Sequence, residues 1–197
     1  MYTEKEIEIH SQEEFNKVVA AGNTPVAIDC KIVVRGNNKV VAKGDSEIVA
    51  SGHCKVMAMG NSLIVARGNS VVEAWGDSKV QAWEDSKVMA MGNSEVVARG
   101  TSQIVASGNS KVEALDNSRV KAWEDSQVIA WHNSEIEAWE NSKVEAKGNS
   151  KVVARGRSKV VARKNSVVMA RRNSVVEAWE NSKVVSRGRS KVLYMDK

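Results

Sequence analysis

Serine and histidine are the residues of this chain that suggest catalysis, because a serine activated by a neighbouring histidine is the nucleophile of many hydrolases. Eighteen of the serines, however, occupy the same position of an eight-residue repeat, and none of them is set apart by its neighbours. His10, His53 and His132 are widely separated and have no constellation of polar residues around them. We expect the repeated serines to form a ladder of hydroxyl groups bonded to one another from repeat to repeat, as stacked polar side chains do. Catalysis needs one distinctive serine, so we predict that the protein is not an enzyme and has no catalytic residue.

Metal and redox chemistry have weak signals. Glu84-Asp85 and Glu124-Asp125 put carboxylates in predicted turns, but the Gly-Gly-x-Gly-x-Asp calcium repeat is absent from the sequence. Cys30 and Cys54 take the place of the repeated serine, where a small, weakly polar thiol substitutes for a hydroxyl. We therefore predict solvated turns and structural thiols, with no metal, no cofactor and no small-molecule substrate.

The repeat that positions these residues is an octad, seen in clean form at residues 148–155 as Gly-Asn-Ser-Lys-Val-Val-Ala-Arg and continuous from Gly36 to Met195. Position 3 is Ser in eighteen of twenty copies, position 5 is always Val or Ile, and position 7 is Ala except at Ser186 and Tyr194. Alternation of period two around a β-branched residue is typical of a strand with one buried face, whereas a period of eight does not match a helix. Positions 3, 5 and 7 are therefore predicted to point inward.

The remaining positions predict a tight turn. Position 2 is Asn or Asp in sixteen copies and position 1 is Gly in twelve. Because residues such as Glu84 and His132 replace that glycine, we place the left-handed residue at position 2, where Asn and Asp tolerate it. A short strand and a turn, repeated, predict a solenoid whose units are stable only when stacked.

The predicted fold class is all-β, a parallel β-solenoid of octapeptide repeats. Sixteen residues per coil would give two facing sheets with Val meeting Val between them. The alternative of twenty-four residues would enclose a triangular prism, which Ser, Val and Ala are too small to fill at native packing density. The sixteen-residue coil also stacks Arg155, Arg171 and Arg187, which is a like-charge ladder.

The Ser-x-Val-x-Ala spacing, recurring every eight residues from Gly36 to Met195, resembles the tandem repeats of bacterial ice-nucleation proteins. The resemblance implies a sixteen-residue coil and a tendency to self-associate. In that family, outward Thr residues beside the central position form the ice-matching rows. Here those positions carry pairs such as Lys39 and Val41 or Glu135 and Glu137, so the resemblance does not extend to the ice-binding rows.

The two ends of the repeat differ. Residues 1–27 are predicted to be a cap with a short strand, Glu6 to Ile9, and a helix opened by a capping box at Ser11 and closed by Gly22-Asn23. The solenoid is predicted to span residues 28–195, beginning with a degenerate copy, Ile28 to Arg35, and residues 196–197 form a tail. A cap of this kind would cover the first coil and its unpaired backbone groups.

At the other end no helix follows. Tyr194 stands where the inward Ala is expected, and a side chain of this size is predicted to plug the open core. Leu193 and Met195 point outward. The final strand edge has no visible cover except Asp196 and Lys197, which favours pairing with a second copy.

The tryptophans suggest a contact surface. All six stand at position 8, beside the turn, and outward Val, Met or Ile at position 6 adds apolar area that a monomer rarely exposes. Alternatively, each indole lies over the neighbouring turn and shields it, or stacked indoles hold sugar rings. The residues predicted to mediate self-association are Leu193, Tyr194, Met195, Trp123, Trp131 and Trp139.

Basic charge is concentrated in residues 148–197, which carry 13 basic and 3 acidic groups. Arginines stacked about 4.8 Å apart repel one another unless an anion compensates them. That anion could be the acidic middle of another copy, a nucleic-acid backbone, or salt. The predicted polyanion site consists of Arg155, Arg163, Arg171, Arg172, Arg187 and Arg189.

These features favour a non-enzymatic scaffold that self-associates, with a homodimer as the expected form. Sequence-independent binding of nucleic acid or another polyanion by the basic C-terminal third is the alternative. No apolar run is long enough to span a membrane, and the charged start, Met1 to Glu6, lacks the apolar core of a signal peptide. We therefore expect a cytoplasmic protein without membrane contact.

Overall fold

The computed structural model of the protein describes residues 5–195, and the sequence-predicted tail, residues 196–197, and the first four residues lie outside this range. The described chain winds as a β-solenoid, and its strands alternate between two parallel sheets. No helix in this range is long and apolar enough to cross a membrane. The predicted fold class, an all-β parallel solenoid with two facing sheets, is confirmed.

Within residues 5–195, twelve strands form sheet A, in the order β1 (Glu6–Ile9), β2 (Thr24–Ile28), β4 (Lys39–Lys43), β6 (Lys55–Ala58), β8 (Val71–Ala74), β10 (Lys87–Ala90), β12 (Gln103–Ala106), β14 (Arg119–Ala122), β16 (Glu135–Ala138), β18 (Lys151–Ala154), β20 (Val167–Arg171) and β22 (Lys183–Arg187). Eleven strands form sheet B, in the order β3 (Lys31–Gly36), β5 (Glu47–Gly52), β7 (Leu63–Gly68), β9 (Lys79–Ala82), β11 (Glu95–Ala98), β13 (Lys111–Ala114), β15 (Gln127–Ala130), β17 (Lys143–Ala146), β19 (Lys159–Ala162), β21 (Val175–Trp179) and β23 (Lys191–Met195).

The register of the strands fixes the length of one coil. Val88 of β10 lies opposite Ile104 of β12, and Val96 of β11 lies opposite Val112 of β13. Each pair is sixteen residues apart, so one coil contains two octads and the alternative of twenty-four residues is wrong. Because consecutive coils repeat the same inward side chains, like core residues stack directly above one another along the axis.

The core lies between the two sheets and is built from the predicted inward face. From Ile48 to Val176, every position-5 side chain is buried, and so is every position-7 Ala from Ala42 to Ala178. Burial of Val and Ile from both sheets stabilises each coil by about 1.5–3 kcal/mol per side chain, against the cost of ordering the chain. No single octad could bury its own face, which is why the fold needs stacking.

The inward serines bond their hydroxyl groups to the backbone, except that Ser158 Oγ is buried without a hydrogen-bond partner. Ser62 Oγ donates to the carbonyl of Met59, 2.8 Å away, and also lies 3.3 Å from the carbonyl of Gly44 in the preceding coil. The same local bond recurs at Ser78, which donates to Trp75 at 2.7 Å. The expectation of a ladder of serines bonded to one another is therefore wrong. The nearest carbonyl, at the end of the preceding strand, is closer than the next hydroxyl in the stack.

The turn also differs from the sequence expectation. The left-handed residue stands at position 1, not at position 2: Glu84 has a φ of 60° and Glu140 a φ of 55°. A non-glycine residue there costs about 1–2 kcal/mol, which the stacked turns sustain. Position 2 keeps Asn and Asp for another reason, since their side chains bond between coils, as Asn93 Nδ2 does to Asp77 Oδ1 at 3.1 Å.

The N-terminal end of the stack is closed by β1 and by helix α1 (Gln12–Ala20). Ser11 caps the helix by accepting a hydrogen bond from the Glu14 N–H, as predicted. Phe15 and Val18 are buried against the first coil. The Gln12 amide covers the free edge of β3: its Oε1 accepts from the N–H of Val33 at 2.7 Å, and its Nε2 donates to the Val33 carbonyl at 3.2 Å.

The first turn of the repeat is one residue shorter than the others. Ile28 lies opposite Lys43, so it occupies position 8 and only Asp29 stands between it and Cys30. Asp29 has a φ of 47°, and its Oδ1 accepts a hydrogen bond from the N–H of Asp45 at 2.8 Å. The side chain thereby replaces the backbone contact that the missing turn residue would have made. The regular sixteen-residue register of sheet B begins at Lys31, opposite Glu47.

Candidate interaction surfaces

None of the three histidine rings is hydrogen-bonded to a serine hydroxyl among residues 5–195. His132 Nδ1 accepts a hydrogen bond from the N–H of Asp116 at 3.4 Å, and His10 Nδ1 lies 3.2 Å from the carbonyl of Ile28. Neither ring contacts a serine hydroxyl. No group of three or more His, Cys, Asp or Glu side chains in this range could hold a metal ion.

The thiols are structural in their surroundings. Cys54 is fully buried at the serine position, and its Sγ donates to the carbonyl of Ser51 at 3.2 Å. Burial raises the pKa of the Cys54 thiol, and burial is also the main cause that raises the pKa of Cys30. A raised pKa lowers the thiolate fraction at neutral pH, so both groups are poor nucleophiles.

The C-terminal coil is the least protected part of the described chain. β22 and β23 are the last strands of their sheets, and each pairs with only one neighbour, β20 and β21. The inward side chains Val184 and Val192 are only half-buried, whereas the equivalent Val168 and Val176 of the preceding coil are fully buried. The end of the core is therefore open to solvent, and we call β22 and β23 the open end.

Tyr194 does not plug this opening. It occupies the inward register position opposite Ala178, yet 70% of its surface is exposed. The expected plug is wrong because a phenol is too large for the narrow space that the preceding Ala side chains fill. Leu193 and Met195 point outward on the same strand and are 38% and 39% exposed. The three predicted residues of this cluster thus lie together on β23.

The tryptophans are half-buried along the two edges, apart from Trp75, which is exposed. Trp123 and Trp139 stack with their ring centres 4.8 Å apart and their planes 7° apart, and the Arg155 guanidinium lies 4.3 Å from the centre of the Trp139 ring. On the other edge the Lys147 ammonium lies 4.3 Å from the centre of the Trp131 ring. Cations and neighbouring indoles of the same chain therefore cover the ring faces of Trp131 and Trp139 that a partner would contact.

Most of the predicted arginines gather on one edge, at the turns that lead from sheet A to sheet B. The structure brings five of the six residues together there and leaves Arg163 on the opposite edge, 3.5 Å from Glu145. Arg157 joins the group, although it is not one of the six residues predicted for the polyanion site. We call this set the arginine edge: Arg155, Arg157, Arg171, Arg172, Arg187 and Arg189. No ion pair joins any of them to a carboxylate of residues 5–195.

The sequence interpretation missed the outer face of sheet A. There Arg119 Nε lies 3.3 Å from Glu135 Oε2 in the next coil, and Lys121 lies opposite Glu137. A shallow groove of about 770 Å³ runs along this face, and Met89 and Val105 are exposed beside it. Reading position 6 at every sixteenth residue, rather than at every eighth, would have revealed that pattern.

Comparison with known proteins adds no ligand or partner to these surfaces. No protein-family model, no curated protein and no solved structure matches the chain. The contacts, burial and charges of the described residues therefore carry the functional conclusion.

Proposed function

We propose that the protein is a non-enzymatic β-solenoid scaffold that self-associates through its open end. The observation that supports this most is the contrast between the last two coils. Val176 is fully buried, while Val192, directly above it in the stack, is half-buried and Tyr194 is 70% exposed. A strand edge with unpaired backbone groups and an uncovered core is a ready template for another chain.

A second copy of this chain is the partner that best fits the open end, because the two ends of the molecule differ. Since α1 covers the N-terminal end of the core and its Gln12 amide occupies the Val33 backbone groups of β3, head-to-tail stacking is disfavoured. Two open ends can meet about a two-fold axis, where the strands across the junction run antiparallel and both sheets continue. The result is a closed dimer, in agreement with the self-association that the resemblance to ice-nucleation repeats suggests.

The charge of the open end sets a condition on this dimer. Arg187, Arg189 and Lys191 of the two copies approach one another, and no acidic residue lies beside them on β22 or β23. Their repulsion is screened by salt. The dimer should therefore become tighter as salt is added.

The test is to place charge on the apolar side chains of β23. Leu193→Lys combined with Met195→Glu removes the apolar contacts that flank the junction, and both side chains point outward, so the fold is retained. We expect the dimer to dissociate at least tenfold more readily, which light scattering detects as a fall from twice the chain mass to the chain mass at about 10 µM protein.

Ile129→Lys is the matched control, because Ile129 is also outward on sheet B and 40% exposed but lies far from the end. It should leave the mass unchanged. If the double variant has the same mass in solution as the unaltered protein and as the Ile129→Lys control, the proposal that the protein associates through its open end is wrong.

A second candidate function, polyanion binding, is favoured by the arginine edge. Its six guanidinium groups lie on one edge of a rigid rod without carboxylate partners in the described chain. Arg155 Nε and Arg171 Nε are also buried without a hydrogen-bond partner. Backbone phosphates spaced along a strand would offset this charge without any readout of base sequence.

Polyanion binding should depend steeply on salt. If all six arginines contact phosphates of duplex DNA, log K should fall with log salt with a slope of about −5. Reversing the charge of Arg155, Arg171 and Arg187 should weaken binding and make the slope shallower by about 3. A fluorescence titration at several salt concentrations measures both; a slope near zero, or one that the triple variant does not change, would rule this function out.

A further inference from the structure

The outer face of sheet A has a charge pattern that is complementary to itself when its direction is reversed. We call the outward side chains at positions 4 and 6 of β8 to β20 the sheet A face. At its centre, β14 carries two cations, Arg119 and Lys121, and the adjacent β16 carries two anions, Glu135 and Glu137. The boundary between these two strands is therefore a line across which the charge changes sign.

Apolar side chains lie on both sides of this centre. At position 6, Val105 and Met89 precede the charged pair by one and two coils, and Val153 and Met169 follow it by one and two coils. Val105 and Met89 are exposed, and Val153 and Met169 are half-exposed. Along one row the order is thus apolar, apolar, cation, anion, apolar, apolar.

A row of this kind is complementary to itself when it is reversed. If a second copy faces the first about a two-fold axis that runs along the strands between β14 and β16, Lys121 meets Glu137 of the other copy. In the position-4 row, Arg119 meets Glu135 in the same way. The apolar pairs also match, since Val105 meets Val153 and Met89 meets Met169. The charged pairs lie nearest to the axis, so their match survives a change in crossing angle between the sheets.

The other way of pairing two sheet A faces fails on the same residues. With the axis along the solenoid, each coil faces itself and positions 4 and 6 exchange places. Arg119 would then meet Lys121, and Glu135 would meet Glu137, which puts like charges together on both strands. Like-charge contacts of this kind oppose association, so the pattern selects the antiparallel arrangement.

We propose that the sheet A face is a second self-association surface. Another copy of this chain docks on it with its solenoid axis antiparallel to that of the first, and the two-fold axis lies between β14 and β16. Seven strands about 4.8 Å apart and a face about four residues wide bury roughly 900 Å² in total, slightly less than a stable specific interface needs. Association here is therefore weaker than a typical stable dimer and appears at high protein concentration. Sheet B lacks this property, because its position-6 row between β13 and β21 carries the acidic residues Glu113, Glu145 and Glu177 and no basic one.

The inference extends the proposed scaffold but uses a different surface from the open end. A chain with both contacts can link dimers through their sides, which turns a closed dimer into a growing assembly. The Leu193→Lys, Met195→Glu variant, in which the open end is blocked, isolates the face contact. The variants that test the face contact are therefore made in this end-blocked protein.

Charge exchange across the axis is the test. At about 200 µM, sedimentation equilibrium should show dimers of the end-blocked protein. Lys121→Glu should reduce them to monomers, since four carboxylates then meet around the axis, and adding Glu137→Lys should restore the dimer because the exchanged pair is again complementary. Glu113→Lys, at the same outward position on sheet B, should leave the dimer intact.

Three outcomes would overturn the proposal. The end-blocked protein could be monomeric at this concentration, Lys121→Glu could leave its mass unchanged, or the exchanged pair could fail to restore the dimer. None of these bears on the open end, which is judged by the effect of Leu193→Lys with Met195→Glu at low concentration. Circular dichroism of each variant confirms that the strands are retained.

Discussion

Val152→Asp should destabilise the protein by about 4 kcal/mol or more, because it places a carboxylate without a partner between the two sheets. Val152 is 2% exposed and faces the side chains of sheet B. The serine hydroxyls of the neighbouring coils, such as those of Ser134 and Ser150, already donate to backbone carbonyls, and the hydroxyl of Ser158 is buried without a partner. Chemical denaturation followed by circular dichroism measures the loss.

Lys151→Asp is the matched control for this substitution. Lys151 is the adjacent residue of β18, points outward and lies 3.8 Å from Glu135 in an exposed ion pair. Its replacement should cost no more than about 1 kcal/mol. Equal losses for the two variants would mean that the assigned faces are reversed.

The destabilisation caused by Val152→Asp should also depend on pH. Burial raises the pKa of a carboxyl group above its unfolded value of about 3.9, because the charged form is disfavoured in the core. The folded state then binds the proton more tightly than the unfolded state. The deficit of Val152→Asp relative to the unaltered protein is therefore largest at neutral pH and shrinks as the pH falls toward 4.

Removal of residues 1–27 should convert a soluble protein into an aggregating one. The deletion takes away β1, α1 and residues 24–27 of β2, together with Phe15 and Ile9, which are buried against the first coil. It also exposes the edge of β3, whose Val33 backbone the Gln12 amide covers. An uncovered edge with an open core pairs with other chains, so most of the truncated protein should be lost from the supernatant after centrifugation.

Lys17→Ala is the control for the cap. Lys17 forms an exposed ion pair with Glu13 at 2.6 Å on the solvent side of α1, and its loss should cost about 0.5 kcal/mol without changing solubility. A truncated protein that stays soluble in the same oligomeric state as the complete chain would show that the N-terminal segment does not act as a cap.

The octad made most of the fold predictable. Each octad has a β-branched residue at position 5 and small residues at positions 3 and 7, and this alternation gives the strand a single buried face. Side-chain size then favoured two octads per coil over three. Ser11 and Gly22 likewise predicted the limits of α1, because capping depends on the nearest few residues. These features are local or strictly periodic, so one sequence was enough to find them.

The errors arose where the backbone of the adjacent coil decides the outcome. Glu84 is left-handed because its turn stacks on the turn below, and the choice between positions 1 and 2 cannot be made from residue preferences alone. Ser62 bonds to carbonyls whose positions depend on the path of the chain around the coil. The relation between Lys121 and Glu137 emerges only after the coil length is known, because the two residues are sixteen apart.

If the open end joins two copies, the protein is a dimer in solution. The most direct test is the solution mass, measured at several protein and salt concentrations. We predict that at about 10 µM the protein has twice the single-chain mass of 21.5 kDa, and that the dimer tightens as salt is raised. A mass of 21.5 kDa at every protein and salt concentration would contradict the account.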